Sequence, residues 1–370
     1  MKLTELSNKD VLYRYKKSLV LLFGGKRNVL STGPDNGGYR EDLKAVFNHD
    51  ANPGAGMACV MRGDTYEEHM NVVALEDLGL EPAYCSGLCT AASMENVSIK
   101  SLSYEGLVVT AIVTGGIEHN GGRVGDPATF CEKSGTFYPL TPGTINIILH
   151  MNCSLDAGTL VRSLVTVTEA KTAAIQELLA PSCSSSGIAT GSGTDGTIIV
   201  SDPGSHIRLT NAGKNSKLGE MIGRTVMDAV KEALSKQSGL DPESQHDILK
   251  RIGRYGITED SLWSFYLKKY ADSLTPEELL HRAEFTDLLD GCKKDACLVT
   301  WTSLFVYLLD QLEWGLLSPE EVWSAGQKIL CHLESPEVDA DKEILSLEKD
   351  CVKKELKTKY MEKIISIILK

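Results

Sequence analysis

The sequence predicts a mixed α/β core of the α+β type, in which a mixed β-sheet is flanked by helices, and an all-α C-terminal appendage. Residues 144–152 form an apolar, strand-like run, and a long helical pattern follows at about 157–179. Only five of the 33 glycines lie beyond residue 240, whereas all four tryptophans do. Two Ser/Thr-Pro-Glu-Glu helix starts also lie there. We therefore predict an α/β domain at 1–240 and a helical domain at 241–370.

The composition is that of a globular protein, with 42% hydrophobic and 24% charged residues. A net charge of −12 argues against a nucleic acid or an anionic membrane as partner. No apolar run approaches the roughly 18 residues that span a bilayer, and the N-terminus shows no signal-peptide pattern. We therefore expect a cytoplasmic protein. The cysteine spacing fits no common zinc motif, so no metal site is predicted.

The N-terminal region is predicted to contain a short helix, a β-hairpin and a polar loop. Residues 1–17 are interpreted as a helical lead-in. Residues 18–23 and 28–31 are strand-like and are separated by a Gly-Gly pair, which favours a hairpin. A Gly-rich loop at 32–39, with Asn36 at its centre, follows the second strand.

Polar residues interrupt the strand at 144–152. Asn146 and His150 are four positions apart, so a strand points them to the same face. The helix after it has Ser154 or Asp156 as its cap, and its apolar residues predict burial nearly all round. This pattern indicates that the strand and the helix belong to the core.

Two charged residues lie inside that helical pattern. Glu169 and Lys171 are only two positions apart and cannot pair along one helix face, so each needs another partner or a cavity. The alternative is that both side chains extend to solvent at the surface. If they are enclosed, they are the clearest indication of a functional site in the chain.

Two further polar segments follow the helix. ATGSGTDG at 189–196 is a loop of small residues in which glycines with positive φ could form an anion-binding nest, although it is neither a P-loop nor a Rossmann motif. NAGKNSKLGE at 211–220 leads into a helix capped by Ser216, with Lys214 and Lys217 at its start. Helix starts attract anions, and lysines strengthen that field.

A second Gly-rich loop lies at 114–126 and contains several polar side chains. It includes the pattern H-x-x-G at His119, but Ile117 stands where a D-x-H-x-x-G motif has Asp. We therefore do not predict that His119 is a metal ligand.

Six motifs carry a resemblance to a known family. In chain order they are VLSTGPDNGG, VTAIVTGGIEHNGGRVGD, GTIN, TEAKTAA, ATGSGTDG and GKNSKLGE. In this order and spacing, over roughly residues 20–235, the chain resembles the adenosylcobinamide amidohydrolase family of corrinoid salvage. The helical region beyond residue 240 lies outside the resemblance.

The resemblance implies that the protein is a hydrolase of a linear amide. The implied reaction cleaves the amide between the aminopropanol arm and the corrin ring, and it gives adenosylcobyric acid. The partner is then a small-molecule corrinoid whose cobalt belongs to the substrate, with no separate cofactor. A homo-oligomer is compatible with the sequence. We expect these motifs to supply the substrate-binding residues: Asn36, Thr114, Asp126, Thr144, Asn146, Thr168, Thr190, Gly191, Gly193, Thr194, Lys214 and Lys217.

The sequence leaves two routes open for the chemistry, with Glu169, Lys171 and Asp195 as the predicted catalytic residues. In the route we favour, Glu169 or Asp195 activates water, and Lys171 or a loop N–H stabilises the oxyanion. In the other, a threonine hydroxyl attacks after activation by neutral Lys171. The candidate hydroxyls are those of Thr168, Thr190 and Thr194.

Two other functions remain open from the sequence. One is a corrinoid-binding protein without catalysis. The other is a phosphate- or nucleotide-handling enzyme that uses the 189–196 loop with Lys214 and Lys217. The sequence lacks the Mg²⁺-binding pattern of nucleotide loops, which disfavours the second.

Overall fold

The polypeptide forms one mixed α/β unit and one helical unit. The computed structural model describes residues 1–54, 61–128, 143–275, 277–333 and 348–369. Its contacts divide the chain into Met1–Asp241 and Pro242–Lys370.

The first unit is built on two sheets and a short ribbon. The strands of its described residues are, in chain order, β1 (Lys2–Glu5), β2 (Val11–Tyr15), β3 (Ser18–Leu22), β4 (Asn28–Ser31), β5 (Gly38–Arg40), β6 (Ala45–Asp50), β7 (Cys85–Thr90), β8 (Ser98–Tyr104), β9 (Leu107–Gly116), β10 (Gly121–Gly122), β11 (Thr144–Met151), β12 (Gly191–Ser192) and β13 (Gly196–Ser201). One sheet has the order β1-β2-β3-β6-β7 and the other β5-β4-β13-β11-β9-β8. The pairs β6–β7 and β11–β13 are parallel and the other pairs are antiparallel, so both sheets are mixed.

The two sheets pack face to face, and helices cover their outer faces. Side chains such as Leu21, Val46 and Ile148 fill the space between the sheets. Helices α2 (Ala157–Glu177) and α3 (Lys217–Ser238) pack on the second sheet. Helix α1 (Tyr66–Val72), continued by a π-helical segment at Val73–Asp77, packs on the first. The result is four layers in the order α–β–β–α, which confirms the predicted mixed class.

Alternate residues of β11 face opposite sides of the sheet and therefore lie in two different cores. Ile145, Ile147 and Leu149 face α2 and α3, whereas Ile148 faces the first sheet. Asn146 and His150 share the face of Ile148, as predicted, and both are buried. Since the strand is buried on both faces, polar side chains here require partners from the other sheet.

The second unit is helical throughout its described elements. They are α4 (Ile248–Ile252), α5 (Glu259–Tyr270), α6 (Arg282–Cys292), α7 (Ala296–Glu313), α8 (Pro319–Cys331) and α9 (Lys349–Ile368). Ser318 and Glu321 form the expected capping box at the start of α8. The unit has its own core, which includes Tyr266, Phe285, Phe305 and Tyr360. No helix among the described residues is both long and apolar enough to cross a membrane.

Two predictions about the N-terminal region are wrong. Residues 1–17 form β1 and β2 rather than a helix. Strands β3 and β4 do not form a hairpin, because they belong to different sheets. The physical reason for the missing hairpin is the buried carboxylate of Asp10. It accepts hydrogen bonds from the Gly24 N–H at 2.7 Å and from Arg27 Nε at 2.8 Å, both in the segment between β3 and β4. These contacts direct the chain from one sheet to the other.

Helix α2 is also less buried than its sequence predicts. Asp156 caps it by accepting a hydrogen bond from the Thr159 N–H at 2.7 Å. Val161 and Val165, however, are 52% and 40% exposed, so one face of the helix lies in solvent. Glu169 lies on this exposed face, whereas Lys171 lies at its border with the core.

Candidate active site

A cavity of about 800 Å³ opens in the first unit. It lies between α2, the β10–β12 ribbon and the loop that precedes β13. Volumes of this order are typical of small-molecule sites. Eight of the predicted site residues line it: Asp126, Thr168, Lys171, Thr190, Gly191, Gly193, Thr194 and Asp195.

An enclosed ion pair is the central feature of this cavity. The ammonium group of Lys171 on α2 contacts Oδ2 of Asp195 in the loop before β13. The two side chains are only 13% and 14% exposed. A buried ammonium group without a partner is strongly unfavourable, so Lys171 requires an acceptor here. The partner that the sequence demanded for Lys171 is therefore Asp195.

Within the part of the chain that the structure describes, three donor groups besides Lys171 also bond to the carboxylate of Asp195. The Ile145 N–H donates to Oδ1 at 2.9 Å, and the Ser192 N–H is shared between both oxygens at 3.1 Å. The Ser192 hydroxyl donates to Oδ1 at 2.5 Å. A carboxylate has about four lone-pair sites, so these donors and Lys171 nearly fill them. Asp195 is thereby held in one position relative to β11 and α2.

Close approach explains why Gly191 is a glycine. A Cβ atom at this position would overlap the Asp195 carboxylate and would lie 2.7 Å from Lys171 Nζ. The expected positive φ is absent: Gly191 and Gly193 both lie outside the left-handed region. That expectation was wrong, because the chain here pairs as strand β12 with Gly121 and Gly122 instead of forming a nest.

The threonine hydroxyls of the site are engaged with other groups. Thr194 Oγ1 lies 2.6 Å from Thr144 Oγ1 and donates to the Gly143 carbonyl at 2.8 Å. Thr190 Oγ1 accepts from the Val124 N–H at 2.9 Å, and Thr168 Oγ1 donates to the Leu164 carbonyl at 2.9 Å. Ser192 is a cavity residue that we did not predict. Its spacing to the aspartate, S-x-x-D, was the signal that could have found it.

Asp126 forms another part of the cavity wall. Its Oδ2 accepts hydrogen bonds from the Ser182 hydroxyl at 2.6 Å and from the Arg123 N–H at 3.0 Å. The hydrogen bond from Ser182 lowers the pKa of the Asp126 carboxyl below its usual value. The wall here therefore carries a negative charge at neutral pH.

Glu169 and Lys214 lie outside this cavity. They form an exposed ion pair with 3.5 Å between Glu169 Oε1 and Lys214 Nζ. The pair borders a shallower hollow of about 490 Å³, which shares Thr168 and Thr172 with the cavity. The predicted catalytic residue Glu169 is thus placed on the solvent side of α2, because the helix rotates it away from Lys171.

Lys217 is also placed away from the cavity lining. It pairs with Glu220 at 2.5 Å and lies over the ring of Tyr104, 4.8 Å from the ring centre. Ser216 caps α3 as predicted, since its hydroxyl accepts from the Gly219 N–H at 3.0 Å. The start of α3 therefore does not join the site of Lys171.

Thr114 and Asn146 lie between the two sheets rather than in the cavity. Asn146 Nδ2 donates to Asn48 Oδ1 at 2.8 Å, and Asn48 Nδ2 donates to Thr114 Oγ1 at 2.8 Å. Asn146 Oδ1 accepts from the Gly196 N–H at 3.1 Å. Since Gly196 directly follows Asp195, this buried network fixes the chain that carries the aspartate. Sequence reasoning missed Asn48, which has no motif around it.

Asn36 is placed at the edge of the first sheet. Its Nδ2 donates to the carbonyls of Pro82 and Cys85 at 2.7 and 2.8 Å. The neighbouring Asp35 accepts from the Gly87 N–H at 3.1 Å, so this loop covers the free edge of β7. Burial raises the pKa of Asp35 to about 6. The polar residues of this loop thus have partners in the first sheet, and Asn36 does not line the cavity.

No group of three or more His, Cys, Asp or Glu side chains that could hold a metal ion is found within the described ranges.

Fold and site together define an α–β–β–α protein with a cavity of small-molecule size and an enclosed ion pair on its wall. Residues 3–242 match the family model CbiZ, described as adenosylcobinamide amidohydrolase. The chain belongs to this family, which confirms the resemblance noted in its motifs. The match ends one residue beyond the boundary of the first unit and contains the whole cavity.

The proteins similar to the chain include one relative in sequence and one solved structure. The uncharacterized protein MJ1613 of Methanocaldococcus jannaschii is 35% identical over 239 residues, which cover 62% of this chain and 89% of that protein. The crystal structure of the PH0078 protein from Pyrococcus horikoshii OT3 aligns at 12% identity with a TM-score of 0.31, over 62% of this chain and 79% of that one. That score is too low to bear on fold or function.

Proposed function

We propose that this protein hydrolyses the amide that joins the aminopropanol arm to the corrin ring of adenosylcobinamide, or of a related complete corrinoid. The products are adenosylcobyric acid and aminopropanol. The observation that carries the proposal is the enclosed Lys171–Asp195 pair on the wall of a cavity, within the part of the chain that matches the amidohydrolase family.

Lys171 supplies the charge that amide hydrolysis requires. Attack on an amide carbonyl makes a tetrahedral oxyanion, which needs positive charge or N–H donors in a water-poor site. Among the described residues, Lys171 donates a hydrogen bond to Asp195, and an ammonium group has three such donors. The remaining donors are available to the oxyanion. Asp195 is then the residue that orients Lys171.

The cavity has the size for the reacting arm of the substrate. About 800 Å³ accommodates the aminopropanol arm and the propionate side chain that carries it. Polar wall residues such as Thr190 and Asp126 would contact the arm, while the corrin ring lies towards the opening. The cobalt ion enters as part of the substrate.

Incubation of the full chain with adenosylcobinamide, followed by mass spectrometry of the corrinoid, tests the proposal. We expect adenosylcobyric acid and free aminopropanol to form together in the wild type. Lys171→Met should form both at least about 10²-fold more slowly, and Lys231→Met, which changes a partly exposed lysine paired with Glu177, should match the wild type. A complete corrinoid, tested in parallel, identifies the preferred substrate.

A binding protein would give a different result. Tight binding of adenosylcobinamide without any cobyric acid, in the wild type, would replace the hydrolase by a corrinoid carrier. A rise in melting temperature with nucleotides but not with corrinoids would instead favour a phosphate-handling function.

A further inference from the structure

Among the described residues, Ser192 is the one whose hydroxyl directly contacts the Lys171–Asp195 pair. Its Oγ lies 2.5 Å from Asp195 Oδ1, in the range of a hydrogen bond to an ionised acceptor. Lys171 contacts the other oxygen, Oδ2. Asp195 therefore bridges a hydroxyl and an ammonium group, and Ser192 and Lys171 both line the cavity.

The backbone holds Ser192 in place independently of its hydroxyl. Ser192 pairs with Gly121 in the β10–β12 ribbon, and its N–H donates to the Asp195 carboxylate at 3.1 Å. The absence of a side chain at Gly191 lets Lys171 and Asp195 approach the ribbon closely. The hydroxyl is thus presented to the cavity by a fixed backbone, as a catalytic nucleophile requires.

The three threonine hydroxyls that we predicted as nucleophiles have no such contact among the described residues. Within the described residues, Thr168 donates to a carbonyl of its own helix, and Thr194 donates to the Gly143 carbonyl. Thr190 is hydrogen-bonded to the Val124 N–H and the Gly122 carbonyl. None of these bonds reaches Asp195.

We propose that Ser192 is the nucleophile and that the reaction passes through a covalent ester of Ser192; this rests on the proposed function. Ser192 Oγ attacks the amide carbonyl carbon and transfers its proton to the Asp195 carboxylate. Lys171 stabilises the oxyanion. The C–N bond then breaks, the proton on Asp195 passes to the nitrogen, and aminopropanol leaves.

Water completes the reaction in a second step. It gives a proton to Asp195 and attacks the ester carbonyl carbon. The C–Oγ bond breaks, Oγ recovers the proton from Asp195, and cobyric acid leaves. The overall change is the addition of one water molecule across the amide bond, and the protein returns to its initial state.

The test compares three full-length proteins on adenosylcobinamide: wild type, Ser192→Ala and Ser205→Ala. Ser205 is a matched control because its Oγ accepts a hydrogen bond from the N–H two residues later, Ile207, at 3.2 Å, as Ser192 Oγ does from Thr194 at 3.3 Å. Ser205 does not line the cavity. Single-turnover reactions are quenched in acid, and the peptides are analysed by mass spectrometry.

We expect Ser192→Ala to lose about 10³-fold or more in kcat while it keeps its melting temperature, and Ser205→Ala to match the wild type. The quenched wild type should carry a cobyric acyl group on the Ser192 peptide, and aminopropanol should appear before free cobyric acid.

Two results would overturn the assignment. Activity of Ser192→Ala within about tenfold of wild type would show that water attacks directly. An inactive Ser192→Ala, together with an unmodified Ser192 peptide in the active wild type, would reduce Ser192 to a positioning residue. A wild type that forms no product at all would instead contradict the proposed hydrolase function, so the two failures are distinguishable.

Discussion

Lys171 Nζ lies 2.7 Å from the point that a Cβ atom of Gly191 would occupy. No carbon atom fits at that distance without moving the ammonium group or the strand. We therefore predict that Gly191→Ala separates Lys171 from Asp195 and lowers kcat by about 10²-fold. Gly193→Ala, where a Cβ meets no atom within 4 Å, should lose less. Steady-state kinetics of both variants checks this, and equal losses would contradict the steric explanation.

Lys171→Met should reduce kcat by about 10² to 10³-fold and leave the melting temperature near that of wild type. The Asp195 carboxylate is not left without partners, because Ile145 and Ser192 continue to donate to it. Differential scanning fluorimetry and single-turnover kinetics are measured on the same samples. A variant that melts much lower would mean that the ion pair is structural, and one with a normal rate would exclude a catalytic role.

Asn146→Ala should destabilise the first unit by about 3 kcal/mol. The substitution leaves the Gly196 N–H, Asn48 Oδ1 and the Cys89 carbonyl without this partner in a buried site. Asn211→Ala, which removes an exposed acceptor of one hydrogen bond from the Gly213 N–H, is the control and should cost about 1 kcal/mol or less. Urea unfolding measures both. Similar values for the two variants would show that the network between the sheets contributes little.

The raised pKa of Asp35 should make the free energy of unfolding depend on pH. Its pKa rises from 3.8 to about 6 on burial, so the folded state binds the proton more tightly than the unfolded state. The free energy of unfolding should therefore fall by at most about 3 kcal/mol as pH rises from about 4 to about 6. Above that pH, this contribution should stay level. Asp35→Asn should lose this part of the pH dependence. Urea midpoints at several pH values in this range test it; parallel curves for both proteins would contradict it.

A fragment of residues 1–241 should fold and hydrolyse adenosylcobinamide. Among the described residues, none beyond this point belongs to the core of the second sheet with α2 and α3 or to the core between the sheets. The cavity lining ends at Asp195. Circular dichroism and turnover of the fragment are compared with those of the full chain. A folded fragment without activity would show that the helical unit contributes to the reaction.

The elements that could be predicted from the sequence are those whose hydrophobic periodicity matches the way they are buried in the fold. The strand at 144–152 is observed as Thr144–Met151, and the helix at 157–179 as Ala157–Glu177. Strand periodicity correctly put Asn146 and His150 on one face. What failed depended on distant residues: Asp10, not the Gly-Gly pair, determines where the chain goes after β3.

The candidate site was predictable in part. A lysine in an apolar helix stripe demanded a partner, and the polar loop at 189–196 supplied it as Asp195. Glu169 and Asn36 were chosen for their residue type and motif, but the rotation of α2 and the free edge of β7 give them other partners. Ser192 was overlooked although its S-x-x-D spacing was visible, because spacing alone does not show which of several nearby hydroxyls reaches Asp195.

The position of β13 within its sheet determines when this protein can fold during synthesis. Ser31 of β4 pairs with Ile198 of β13, about 170 residues later in the chain, and β13 separates β4 from β11. Until residue 201 is made, β4 and β11 each keep an unpaired edge, which is the kind of surface that associates with other chains. Asp195 is synthesised immediately before this strand, so the site and the sheet are completed by the same stretch of polypeptide.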